Sequence, residues 1–208
     1  VDTRTQKLEK IIPGFGFYAV GVAIDEKGRR VFVSNMQGQL MTVNADTLEL
    51  TSKKEIQADQ LLNLVYDPQG NRVLGVDQGI DRDKYRNYHL KENYTRRSSG
   101  HRLFALNADD GKLLASVETQ EVPIGLLLDQ KNGRVFVTNR NGVRVDKGEG
   151  TLSVFEAKTL EHMQTLALPP HPNSLTLDEK TNVLYVTVKN DGEAKKAGKA
   201  ESIVRIEQ

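Results

Sequence analysis

At 208 residues, with 38% hydrophobic and 27% charged residues, the chain can bury one sizeable core or a row of small units and does not have a disordered composition. A net charge of +1 excludes whole-molecule attraction to nucleic acid or an anionic membrane, so any polyanion binding must come from a local patch. There is no cysteine, which excludes disulfides and thiol chemistry, and no apolar run approaches the ~18 residues of a membrane span.

The opening residues Val1 to Leu8 match neither a signal peptide nor a helix cap. They read as the end of a strand and a turn, and residues 8–13 follow as a lone outer-type strand. Pro13-Gly14-Phe15-Gly16 then reads as a connection. With no helix after it, the glycine pair is no phosphate cradle.

From residue 18 one motif occurs four times: an apolar run ending in Asp, a polar turn, and a β-rich run beginning six residues after that Asp. The copies are Val22-Ala23-Ile24-Asp25 before Val31-Phe32-Val33-Ser34-Asn35 and Leu64-Val65-Tyr66-Asp67 before Val73-Leu74-Gly75-Val76-Asp77. Leu126-Leu127-Leu128-Asp129 precedes Val135-Phe136-Val137-Thr138-Asn139, and Leu175-Thr176-Leu177-Asp178 precedes Leu184-Tyr185-Val186-Thr187-Val188. Successive Asp residues stand 42, 62 and 49 apart, and the longer intervals hold polar insertions. A period near 40–45 residues with four short strands per unit is the signature of β-propeller blades. The predicted fold is therefore all-β: four blade repeats of four-stranded antiparallel sheets, at about 18–56, 62–118, 123–168 and 172–208. The recurrent Asp suits a turn role, accepting backbone N–H groups two residues on. No segment has a helical period.

The last unit supplies three strands and stops. Either residues 8–13 close a small four-bladed ring, or they end an upstream blade of a larger one; the larger ring is the expectation.

Val135-Phe136-Val137-Thr138-Asn139, Val31-Phe32-Val33-Ser34-Asn35 and Leu184-Tyr185-Val186-Thr187-Val188 resemble the YVTN repeat. The stretch from His171-Pro172-Asn173 through Lys189 to Val204-Arg205-Ile206 is similar to the end of the YncE-like seven-bladed propellers of that family. The resemblance implies about three further blades upstream, a periplasmic location, and a binding role that includes single-stranded DNA. The insertion at 79–101 departs from the family pattern.

Three polar insertions, 79–101, 140–149 and 189–201, all fall between the second and third strands of their units and should crowd one rim of the ring. The first sets Arg82, Lys84, Arg86, Lys91, Arg96 and Arg97 against Asp81, Asp83 and Glu92, a net of +3. The second adds Arg140, Arg144 and Lys147 against Asp146 and Glu149, the third Lys189, Lys195, Lys196 and Lys199 against Asp191, Glu193 and Glu201, each a net of +1. Tyr85, Tyr88 and Tyr94 interleave with the arginines. Aromatic platforms beside guanidinium groups suit stacked bases on a charged backbone, and a merely solvated loop has the same composition. The candidate ligand-binding residues are Arg82, Lys84, Tyr85, Arg86, Tyr88, Arg96, Arg97, Arg140, Arg144, His171 and Lys189.

Catalytic patterns are thin. No two of the four histidines have metal-ligand spacing, and neither Ser34 nor Ser174 sits on a nucleophile elbow. His171 alone is expected to face the channel. The expectation is a non-catalytic binding module without metal or cofactor, its partner a single-stranded nucleic acid, another polyanion or a protein. The alternatives are a propeller lyase or cofactor-dependent oxidoreductase working in the channel, and a scaffold for a protein partner.

Overall fold

The computed structural model describes residues 2–78, 96–140, 149–190 and 192–207. Four sheets follow one another along the chain, each a meander in which neighbouring strands pair antiparallel. The first blade is β1 (Ala19–Asp25), β2 (Arg30–Asn35), β3 (Gln39–Asn44) and β4 (Glu49–Glu55). The second is β5 (Leu61–Asp67), β6 (Arg72–Asp77), β7 (Arg102–Asn107) and β8 (Leu113–Glu118). The third is β9 (Pro123–Asp129), β10 (Arg134–Asn139), β11 (Gly150–Glu156) and β12 (His162–Leu168). The fourth has three strands, β13 (Pro172–Asp178), β14 (Val183–Val188) and β15 (Ser202–Glu207).

Blades stack in chain order, β1 against β5, β5 against β9 and β9 against β13. The stacking explains the unbroken apolar runs of the second strands, because a sheet covered on both faces needs no polar side. Every residue of β6 is buried. Phe32, Leu61, Val73 and Phe104 form the core between the first two blades. Leu74, Val76, Val135 and Phe155 fill the next seam, and Phe136, Leu152, Leu184 and Val186 the last. The outer strands β4 and β12 are mostly exposed, and β8 is exposed or half-buried along its length.

Two differences from expectation stand out. The third polar insertion, 189–201, contains a five-residue helix, α1 (Gly192–Lys196), where no helical period was expected. A single turn is too short to leave a periodic pattern. Residues 8–13 form no strand: the bridge ahead of β1 joins Asp2 to Lys7, and β15 ends its sheet. An outer strand exists only through its ladder to a neighbour.

The two faces of the stack are stitched differently. On the face of the short turns, Asp25, Asp67, Asp129 and Asp178 accept the N–H of Gly28 (2.9 Å), Gln69 (3.0 Å), Asn132 (3.1 Å) and Lys180 (3.0 Å), the turn role expected of them. The first two also hold the arginine that opens the next strand, Arg30 to Asp25 at 2.9 Å and Arg72 to Asp67 at 2.7 Å. Both arginines then reach the following blade, Arg30 to Asp109 and Arg72 to the carbonyls of Ala157 and Lys158.

On the opposite face the inner strands bulge near their starts, and hydroxyl groups fill the gaps. Ser34 accepts the N–H of Gly21 (3.1 Å) and donates to the Leu61 carbonyl of the next blade (2.6 Å). Thr138 repeats this with Gly125 (2.9 Å) and Asn173 (2.6 Å). In the second blade Val76 stands at that position, and Asn63 instead donates to the Ile124 carbonyl.

Candidate functional site

The rim that carries the bulges is where the second strands end and the described ends of the insertions begin. A backbone strap recurs there: the residue after the second strand donates its N–H to the residue just before the first. Met36 bonds Tyr18, Arg140 bonds Val122 and Lys189 bonds His171, each at 3.1 Å. Tyr18, Val122 and His171 are left-handed, with φ of 52°, 55° and 59°. That conformation is uncommon outside glycine, and for the β-branched Val122 it is an outlier. Val122 is held by an N–H bond to His101 Nδ1 at 3.0 Å. The strap thus places Met36, Arg140 and Lys189 at equivalent rim positions beside their blades' inner strands.

Six of the residues singled out from sequence, Arg82, Lys84, Tyr85, Arg86, Tyr88 and Arg144, lie outside the described residues, as does Tyr94. Arg96 and Lys189 are exposed on the rim. Arg97 is engaged in the seam between the first two blades. Its Nη1 donates to the carbonyls of Gly38 (2.7 Å) and Ile56 (3.3 Å), Nη2 pairs with Glu55 at 2.5 Å, and its N–H meets Asp59 at 3.1 Å. Composition made Arg97 a ligand contact; the fold gives its guanidinium a structural task.

Arg140 is different. It is half-buried and no carboxylate pairs with it among the described residues; Nη2 donates to the Asn173 side chain on the next blade. Burial, unopposed by a neighbouring acid, pushes its guanidinium below the usual arginine range. Its Nε is buried without an acceptor, and so is His171 Nε2 without a partner. Gln60 stands where His171 and Val122 stand in their blades, is 1% exposed, and has neither Nε2 nor Oε1 bonded. Asn139, at the end of β10, donates to Thr151 and Ser153 but leaves Oδ1 unmatched.

Among the described residues, then, every buried side-chain atom lacking a hydrogen-bond partner belongs to this one rim. Sequence reasoning missed Gln60, Asn139 and Asn173. The available signal was repeat position, since all three stand at the start of a first strand or the end of a second one.

A cleft of about 450 Å³ lies on the opposite face between the second and third blades, lined by Arg72, Leu128 and Ala157 among others. Both of its carboxylates are already matched, Asp67 by Arg72 and Glu156 by Thr159 at 2.8 Å. Among the described residues no group of three or more His, Cys, Asp or Glu side chains is placed to hold a metal, and no helix is long and apolar enough to cross a membrane.

No family model matches the chain. It is 25% identical to YncE of Salmonella typhimurium over 211 residues, covering 99% of this chain and 52% of the relative. Against YncE of Escherichia coli K12 the identity is 25% over 207 residues with the same coverage. The chain thus spans about half the length of the curated relatives it matches. Among solved structures, hydrazine synthase of Kuenenia stuttgartiensis superposes with a TM-score of 0.68 at 12% identity, over 95% of this chain and 49% of that one. The computationally designed Ika4 protein gives 0.62 at 12% identity over 94% and 96%, and U3-55K gives 0.60 at 10% over 95% and 54%. At such identities the likeness is one of fold.

Proposed function

We propose that this chain, homologous to the YncE proteins and β-propeller-like in its fold of antiparallel sheets, is a non-catalytic binding module whose long-loop rim engages an anionic ligand, single-stranded nucleic acid or another polyanion. The observation that carries this reading is the concentration of unmatched buried polar atoms on that rim, at Gln60, Asn139, Arg140 and His171. A buried donor or acceptor without a partner costs on the order of 1–3 kcal/mol, and a ligand that supplies the partner recovers it. Exposed Arg96, Lys189, Lys195, Lys196 and Lys199 add positive charge around the same rim. A periplasmic location is supported by the sequence resemblance alone, and fractionation of the native host tests it.

The test is fluorescence anisotropy with a labelled single-stranded oligonucleotide across a salt series. Release of counterions makes the logarithm of affinity fall linearly with the logarithm of salt, with a slope of about −0.7 per phosphate engaged. Absent or salt-independent binding rejects the nucleic-acid reading.

A further inference from the structure

We propose that the seam between the third and fourth blades contains a site for a compact oxyanion, a carboxylate or phosphate group, held by the guanidinium of Arg140. This rests on the reading of the rim as a binding face and deepens it by naming a recognition point and its chemistry.

Arg140 leaves β10 at the bulged end of its pairing with β9, and its N–H is tied to the Val122 carbonyl. Its side chain crosses to the next blade, where Nη2 donates to Asn173 Oδ1. Asn173 is itself anchored, since its carbonyl receives Thr138 Oγ1 at 2.6 Å. The guanidinium is therefore oriented from both ends, by a backbone strap at its root and an amide at its tip.

A guanidinium carries five N–H donors in a rigid fork and no acceptor. Here one donor is spent on Asn173, while Nε–H is buried with nothing to receive it. The contrast with the other seam arginines is sharp. Arg30 and Arg72 lie across their own Asp residues, and Arg97 meets Glu55. Arg140 alone of these four has no acid at the described positions, so its desolvated charge stays uncompensated. An oxyanion would supply the missing charge and accept from Nε–H and the neighbouring Nη, a geometry that carboxylates and phosphates match. A lysine would offer the charge without the fork.

His171 stands on the same seam, two residues before Asn173, in a left-handed turn closed by Lys189. Its Nε2 is the second buried nitrogen here without a partner. It supplies a further donor in the tautomer or charge state that carries a proton on Nε2.

The experiment is an NMR titration of the whole 208-residue chain, labelled with nitrogen-15 and observed at the arginine Nε–Hε resonances. The probes are inorganic phosphate, acetate, and chloride as an ionic-strength control. The expected result is a saturable shift of the Arg140 signal with phosphate or acetate and none with chloride, while exposed Arg96 moves linearly or not at all. Which of the two saturates first distinguishes a phosphoryl from a carboxylate source. Arg140→Met should weaken the saturating anion about tenfold, and Arg140→Lys should remain weakened about threefold. An Arg140 signal that moves only in step with Arg96 overturns the proposal, as does an Arg140→Met protein that binds like the parent. If the variants fail to fold, the titration of the parent decides alone. The oligonucleotide series is run on the same sample. Oligonucleotide binding with an unmoved Arg140 sinks the seam site and leaves the rim reading, whereas anion saturation without oligonucleotide binding keeps the seam site and rejects the nucleic-acid reading.

Discussion

Arg30 Nη1 of the first blade and Asp109 Oδ1 of the second lie 2.7 Å apart across 79 residues of sequence. The same guanidinium is held at 2.8 Å by Asp25 of its own blade, and it also meets Tyr66 and Asn71. One side chain therefore closes a turn and locks two blades together. Its two acids differ in burial: the Asp25 side chain is 6% exposed and that of Asp109 63%.

That difference decides how the pair should respond to mutation. Arg30→Met leaves Asp25 as a buried carboxylate without its cation and is expected to cost about 3 kcal/mol of unfolding free energy. Asp109→Asn removes an exposed partner and should cost under ~1 kcal/mol. A double-mutant cycle by urea denaturation should find the Arg30–Asp25 coupling the larger. Equal couplings would mean that burial does not rank these pairs.

Acid should act through Asp25. Burial raises its pKa, but the N–H of Gly28 and the Arg30 guanidinium outweigh that and hold it below the ordinary carboxylate value. A carboxylate depressed on folding contributes stability that is complete above its unfolded pKa, about 3.9, and disappears as pH falls through the lower folded value. Asp25→Asn should therefore flatten the fall in thermal midpoint below about pH 4 while lowering the midpoint near pH 7. A parallel acid profile in variant and parent would contradict this.

The bulge hydroxyls make a second, independent prediction. Thr138 is fully buried, accepts from Gly125 and donates to Asn173. Thr138→Val keeps the shape and strands both backbone groups, at a cost of about 2 kcal/mol. The converse change, Val76→Thr, meets no waiting donor or acceptor of that kind, because Asn63 already bonds the Ile124 carbonyl. It should destabilise as well, by burying an unmatched hydroxyl. Both are read from denaturant midpoints. A neutral Thr138→Val would show that the hydroxyl bridge is incidental.

Arg140 should behave in the opposite sense from Arg30. Its charge is desolvated and unmatched, so Arg140→Met is expected to raise the thermal midpoint in ligand-free buffer, by the equivalent of about 1 kcal/mol. A loss as large as that of Arg30→Met would make Arg140 a structural residue.

Strand identity and order were legible in the chain, because an apolar run ending in Asp, a polar turn and a β-rich run at a fixed offset recur four times. The second strands begin and end within a residue of where that pattern puts them, as at β2 (Arg30–Asn35), β10 (Arg134–Asn139) and β14 (Val183–Val188). These signals are local, and local chemistry is written in neighbouring residues. Which cation is spent and which is spare was not legible. Arg97, Arg140 and Arg30 look alike in composition, yet one clamps a seam through Gly38 and Glu55, one has a donor to spare, and one joins two acids. Those fates depend on what the next blade presents, tens of residues away. Burial and long-range pairing arise only when blades stack, so the repeat could be read from the chain alone, but the unsatisfied rim appeared only in three dimensions.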